Sequence, residues 1–108
     1  MKDYKKVAEK ILKMGRFCDI HNCGEPHEHM QVNLFCQLSE PYVIGYRFYV
    51  AFDGREWNID YTLNPAVKMR SQMKKIRHIK TEKEMLLHLK KIIHEIRKQE
   101  GIFYIKLK

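Results

Sequence analysis

The sequence predicts an α+β fold: an antiparallel sheet of three or four strands (30–38, 42–52, 55–63 and a short last one at 102–107) packed by helices at 3–14, 65–79 and 82–99. Three observations predict it. Apolar and polar residues alternate through 30–63 at the period of a half-buried strand, and apolar residues recur at helical spacing on either side of that stretch. An Asp53-Gly54 dipeptide separates the two longest alternating runs. At 108 residues the chain reads as a single domain, 1–108, with one core.

Tyr4, Val7, Ala8, Ile11 and Leu12 place one apolar stripe on the first helix, with lysines opposite and Gly15 as its stop. Met30, Val32, Leu34, Cys36 and Leu38 alternate with polar neighbours, as a strand with one buried face requires. Asp53-Gly54 predicts a two-residue type I′ turn. It would set Val50 opposite Trp57, Phe48 opposite Ile59 and Tyr46 opposite Tyr61, with Tyr49–Asn58 and Arg47–Asp60 on the other face. Asn64-Pro65, followed by Ala66, Met69, Met73 and Ile76, predicts a basic helix over 65–79. Thr81 with Glu84 forms a capping box ahead of the stripe Met85, Leu86, Leu89, Ile92, Ile93 and Ile96, and Gly101 ends that helix.

Composition narrows the function classes. Lys and Arg number 21 against 13 Asp and Glu, a net charge of +8 at pH 7. No apolar run approaches the ~20 residues of a membrane span, and the N-terminal stretch lacks the apolar centre of a signal peptide, so no membrane partner and a cytoplasmic location are expected. The three cysteines are an odd number, which favours free thiols or metal ligands over a disulfide framework. There is no Gly-rich phosphate loop and no G-x-S-x-G elbow, and the expectation leans against an enzyme.

The charge is concentrated. Lys68, Arg70, Lys74, Lys75, Arg77 and Lys80 follow one another with no intervening acid, and Lys90 and Lys91 continue the positive surface on the last helix. Such a run attracts phosphates by counterion release and equally suits an acidic protein or nucleoprotein surface. The aromatics lie mostly on the face assigned to the core, leaving Tyr49 and Phe35 outside it, so contact with the phosphate backbone is favoured over base reading.

The segment GRFCDIHNCGEPHEH, read as a loop, gathers Cys18, His21, Cys23, His27 and His29. Thiolate and imidazole are the preferred ligands of zinc, and the expectation is one zinc ion held by Cys23, His27 and His29, with Cys18 or His21 as the fourth ligand. The spacing His21-x-Cys23-Gly-x-x-His27-x-His29, followed at once by a strand, resembles the motif of the 6-carboxy- and 6-pyruvoyl-tetrahydropterin synthases. The resemblance implies a catalytic thiol at Cys23 and zinc on His27 and His29. Glu28 stands where that family has glycine, and no upstream histidine supplies its third ligand.

Two readings therefore stand. The first is a small, basic, non-enzymatic binding protein that contacts nucleic acid or a nucleoprotein, of the kind a phage or mobile element uses as an accessory or inhibitor. The alternative is a zinc-dependent enzyme of pterin-synthase type.

Overall fold

A computed structural model describes residues 4–14, 18–23, 29–39 and 42–100. In chain order they form α1 (Lys5–Leu12), β1 (Cys18–Cys23), β2 (His29–Ser39), β3 (Tyr42–Phe52), β4 (Trp57–Tyr61), a 3-10 turn (Arg70–Gln72), β5 (Lys74–Ile79) and α2 (Glu82–Glu100). The α+β class is as the sequence predicts. The sheet has five strands in the order β1-β2-β3-β4-β5, each antiparallel to its neighbour. The predicted strand at 102–107 lies outside the described residues.

Alternation drives the sheet's inner face into the core. Met30, Val32 and Leu34 of β2, Tyr46, Phe48 and Val50 of β3, and Trp57 and Ile59 of β4 are all buried there. Against them pack Val7 and Ile11 of α1, and Met85, Leu89, Ile92, Ile93 and Ile96 of α2, which are the stripes the helical spacing identifies. Tyr4 ties α1 to the hairpin: its hydroxyl accepts the Phe52 backbone N–H at 3.1 Å and its ring meets Trp57 edge-on at 6.3 Å. Near the far end of α2, Gln99 Nε2 donates to the Leu63 carbonyl at 2.8 Å and to the Tyr46 hydroxyl at 3.2 Å. The N-terminus of α2 is capped by Thr81, whose Oγ1 accepts the Glu84 N–H at 3.1 Å.

Three expectations are corrected. The β3–β4 connection is a four-residue loop and not a two-residue type I′ turn, since Phe52 pairs with Trp57 and Val50 with Ile59. The Asp53 carboxylate accepts the N–H groups of Arg55 and Glu56, at 2.9 and 2.8 Å, and Asp53 N–H donates to the Glu56 carbonyl at 3.1 Å. Gly54 supplies the positive φ of 98° that this loop needs. The register thus differs by two from the expected one, and a shift of two leaves every side chain on its predicted face.

The second correction removes the helix at 65–79. Asn64 starts a turn, its side-chain oxygen accepting the Ala66 N–H at 3.0 Å, and Lys74–Ile79 then runs as β5 along β4. Met69, assigned to the buried stripe of that helix, is 63% exposed. A helix there would leave one side of β4 without ladder partners, and β5 satisfies those backbone groups. An extra residue on β5 between the pairs Ile76–Ile59 and Ile79–Trp57 makes a bulge, where His78 takes a positive φ of 61°.

The third correction concerns the cysteine and histidine segment, which is not wholly a loop. Its residues Cys18–Cys23 form β1 and pair with β2.

Candidate functional site

The helices cover one face of the sheet, and the opposite face carries the charged chemistry. At its centre is Asp60 of β4, on the polar side of the strand yet only 2% exposed. The burial comes from cations laid over it. Arg70, from the 3-10 turn, donates Nε to Asp60 Oδ2 at 2.6 Å, and Arg77 of β5 donates Nη1 to Oδ1 at 2.7 Å. Lys75, opposite Asp60 in the β4–β5 ladder, brings its ammonium to 3.9 Å from Oδ2 and donates to the Arg70 carbonyl at 3.2 Å. Burial pushes the Asp60 carboxyl up, but the hydrogen bonds and positive charges of Arg70 and Arg77 outweigh it and hold the group below the ordinary aspartate value.

Tyr49 of β3 faces Asp60 across the sheet, and the Arg70 guanidinium lies over its ring with Cζ 5.0 Å from the centroid. The His29 ring meets Tyr49 edge-on at 5.5 Å. Two positions before Tyr49, Arg47 makes no ion pair with a described residue, and its Nε is buried without a hydrogen-bond partner among them. Lys68 extends to the Gly45 carbonyl at 2.8 Å, adding a further ammonium beside β3.

The predicted basic residues are thereby sorted. Arg70, Lys75 and Arg77 converge on Asp60, and Lys68 lies alongside. Lys80 pairs with Glu56, which also meets His78 Nδ1 at 2.9 Å, and the Lys80 hydrogen bond followed by that of His78 holds the Glu56 carboxyl below its ordinary value. Lys74 is exposed and makes no ion pair with a described residue. Lys90 and Lys91 are exposed on α2, a helix packed on the other face of the sheet, so they do not join this cluster. Sequence reasoning read Asp60 as half of a surface pair with Arg47 and missed it as the organiser. The available signal was an acid in a strongly apolar strand shortly before an acid-free basic run.

The metal-ligand candidates are placed in part. Strand register sets Cys23 opposite His29 and His21 opposite Gln31, two positions along, whereas Cys18 sits opposite the buried Leu34. His27 lies outside the described residues. Among the described residues no three potential ligands converge on a metal position. No helix among them is long and apolar enough to cross a membrane.

Comparison of the chain with protein-family models, with curated proteins and with solved structures finds no match in any of the three.

Proposed function

We propose that this protein is a non-enzymatic binder of nucleic acid that engages the phosphate backbone with the open face of its sheet. The observation that supports this reading is the convergence of Arg70, Lys75 and Arg77 on one buried carboxylate. Three cations against one anion leave a local excess of positive charge, and each guanidinium spends only one of its five N–H donors on Asp60. The remaining donors are held in place before a ligand arrives, which lowers the ordering cost of binding phosphate.

The test uses a fluorescently labelled oligonucleotide and anisotropy across a salt series. If about five phosphates are engaged, log K against log[salt] has a slope of about −4.5 for duplex. The triple variant K68E/K74E/K75E leaves Asp60, Arg70 and Arg77 themselves unchanged, and it is expected to weaken binding more than 10-fold and to flatten the slope. A triple variant with wild-type affinity and an unchanged circular dichroism spectrum overturns the proposal.

A second reading is favoured by the β1–β2 register. Cys23 and His29 are cross-strand partners, and His21 is two residues from Cys23 on the same strand. With His27 from the intervening segment, these residues suit a zinc ion; in an enzyme of pterin-synthase type the zinc would rest on His27 and His29 and Cys23 would be the catalytic thiol. Protein purified without chelator should carry about one equivalent of zinc, lost in C23S, with a lower Tm after EDTA. Well under one equivalent removes both the metal and the enzyme.

A further inference from the structure

We infer that the open sheet face binds single-stranded nucleic acid and that Arg70 is its stacking plate, a step that rests on the nucleic-acid reading above. An arginine plane is a good surface for a nucleobase only if something holds it flat. Arg70 is held from several directions. Its Nε is fixed to Asp60 at 2.6 Å, its Cζ lies over the Tyr49 ring 5.0 Å from the centroid, and its backbone carbonyl is tied to Lys75 at 3.2 Å. The side chain is still 39% exposed, which leaves room for a ligand on it. A base laid there continues a stack of tyrosine, guanidinium and base, with the negative face of the phenol ring below reinforcing the cation.

Shape selects the single strand. Among the described residues both helices lie behind the sheet, and the open face offers a pleated plane with no helix to enter a groove. Duplex DNA can touch such a plane only along its backbone, whereas an unpaired strand can splay a base onto Arg70 while its phosphates reach Arg77, Lys75 and Arg47. Arg47 sits two residues from Tyr49 on β3 with no ion-pair partner among the described residues, which adds a further positive charge beside that path. Asp60 acts as a positioning residue: it touches no ligand and holds Arg70 and Arg77 at the angle a ligand requires.

The test separates bases from phosphates. Three labelled probes are titrated into the full chain: oligo-dT of 12 nucleotides, the same strand built from abasic sites, and a duplex of equal charge. Oligo-dT is expected to bind about 10-fold or more tightly than the abasic strand, the scale of one base–side-chain stack. R70K keeps the charge but loses the plane. It should weaken oligo-dT binding several-fold, leave the abasic strand nearly unaffected and keep the same salt slope. Y49A should behave as R70K does, while Y49F, which keeps the ring, should bind as wild type. Melting curves verify that each variant is folded.

Equal affinity for oligo-dT and the abasic strand, or an R70K protein that discriminates them as the wild type does, overturns the stacking plate and leaves backbone binding standing. An acidic peptide or heparin bound as tightly as oligo-dT, with no preference for bases, has the same meaning. Failure to bind any of the three probes overturns the nucleic-acid reading itself.

Discussion

Asp60 shows how one side chain converts a string of charges into a surface. Without it, Arg70, Lys75 and Arg77 would repel one another and spread into solvent. With it, two of them are held by hydrogen bonds of 2.6 and 2.7 Å. Both arginine side chains remain about 40% exposed, so water screens part of the attraction. Asp60→Asn preserves volume but loses the charge, and it is expected to cost about 1.5 to 3 kcal/mol in urea unfolding at pH 7, the scale of hydrogen bonds to a charged group. The folded carboxyl titrates below its unfolded value. The stability it contributes is therefore present above an unfolded pKa of about 3.9 and is lost as pH falls through that value toward the folded one. Urea midpoints measured from pH 7 to pH 2 should fall steeply below about pH 4 in the wild type and less steeply in D60N. Parallel acid limbs would mean that the pairs add nothing to folding.

At the scale of elements, the β3–β4 hairpin separates what alternation specifies from what it leaves open. Alternation determines that Trp57 and Ile59 face the core, where they are 2% and 0% exposed. Any even shift of register preserves those faces, so the choice between a two- and a four-residue loop falls to Asp53, whose carboxylate satisfies two loop N–H groups. Exposed Asp53 titrates below its ordinary value because it accepts those N–H groups, Glu56 foremost. Trp57→Ala should cost about 3 to 5 kcal/mol, as for other large buried aromatics, and Asn58→Ala on the polar face about 1 or less. Similar small losses at both positions in denaturant melts would contradict the burial of the indole. At α2, Thr81→Ala should cost about 1 kcal/mol while Thr81→Ser recovers most of it, because only the hydroxyl caps the Glu84 N–H. Equal losses for both variants would show that the methyl group matters more than the cap.

At the scale of the whole fold, the basic residues singled out by the sequence fall, among the described residues, on opposite sides of the sheet. Arg70, Lys75 and Arg77 share the open face with Tyr49, and Lys90 and Lys91 lie on the helix side. In the oligonucleotide assay, K90E/K91E should reduce affinity no more than about 3-fold, a long-range effect of net charge that disappears above the salt at which the Debye length is ~8 Å. A loss matching that of K68E/K74E/K75E would mean that the binding surface wraps onto α2. The strand that brings Lys75 and Arg77 to the open face also protects the sheet edge. Among the described residues β5 is outermost, and its exposed Lys74 and Lys75 together with the bulge at His78 oppose pairing with another chain.

Local periodicity determined most of the architecture: α1, α2, β2, β3, β4 and their buried faces follow from spacings of 3.6 and 2 over residues whose burial dominates their energetics. It failed where the pattern was short or satisfied both periods. Met69, Met73 and Ile76 fit a helix on paper, but segment 74–79 runs as a strand because the edge of β4 requires hydrogen-bond partners from elsewhere in the chain. Cys18–Cys23 carries no clear alternation, yet it pairs with β2 for the same kind of reason. The basic run, the cysteines and the histidines were all visible as composition. Which of them meet was decided by tertiary structure alone, because convergence on Asp60 joins residues of three separate elements, and no spacing along a chain encodes the distance between strands.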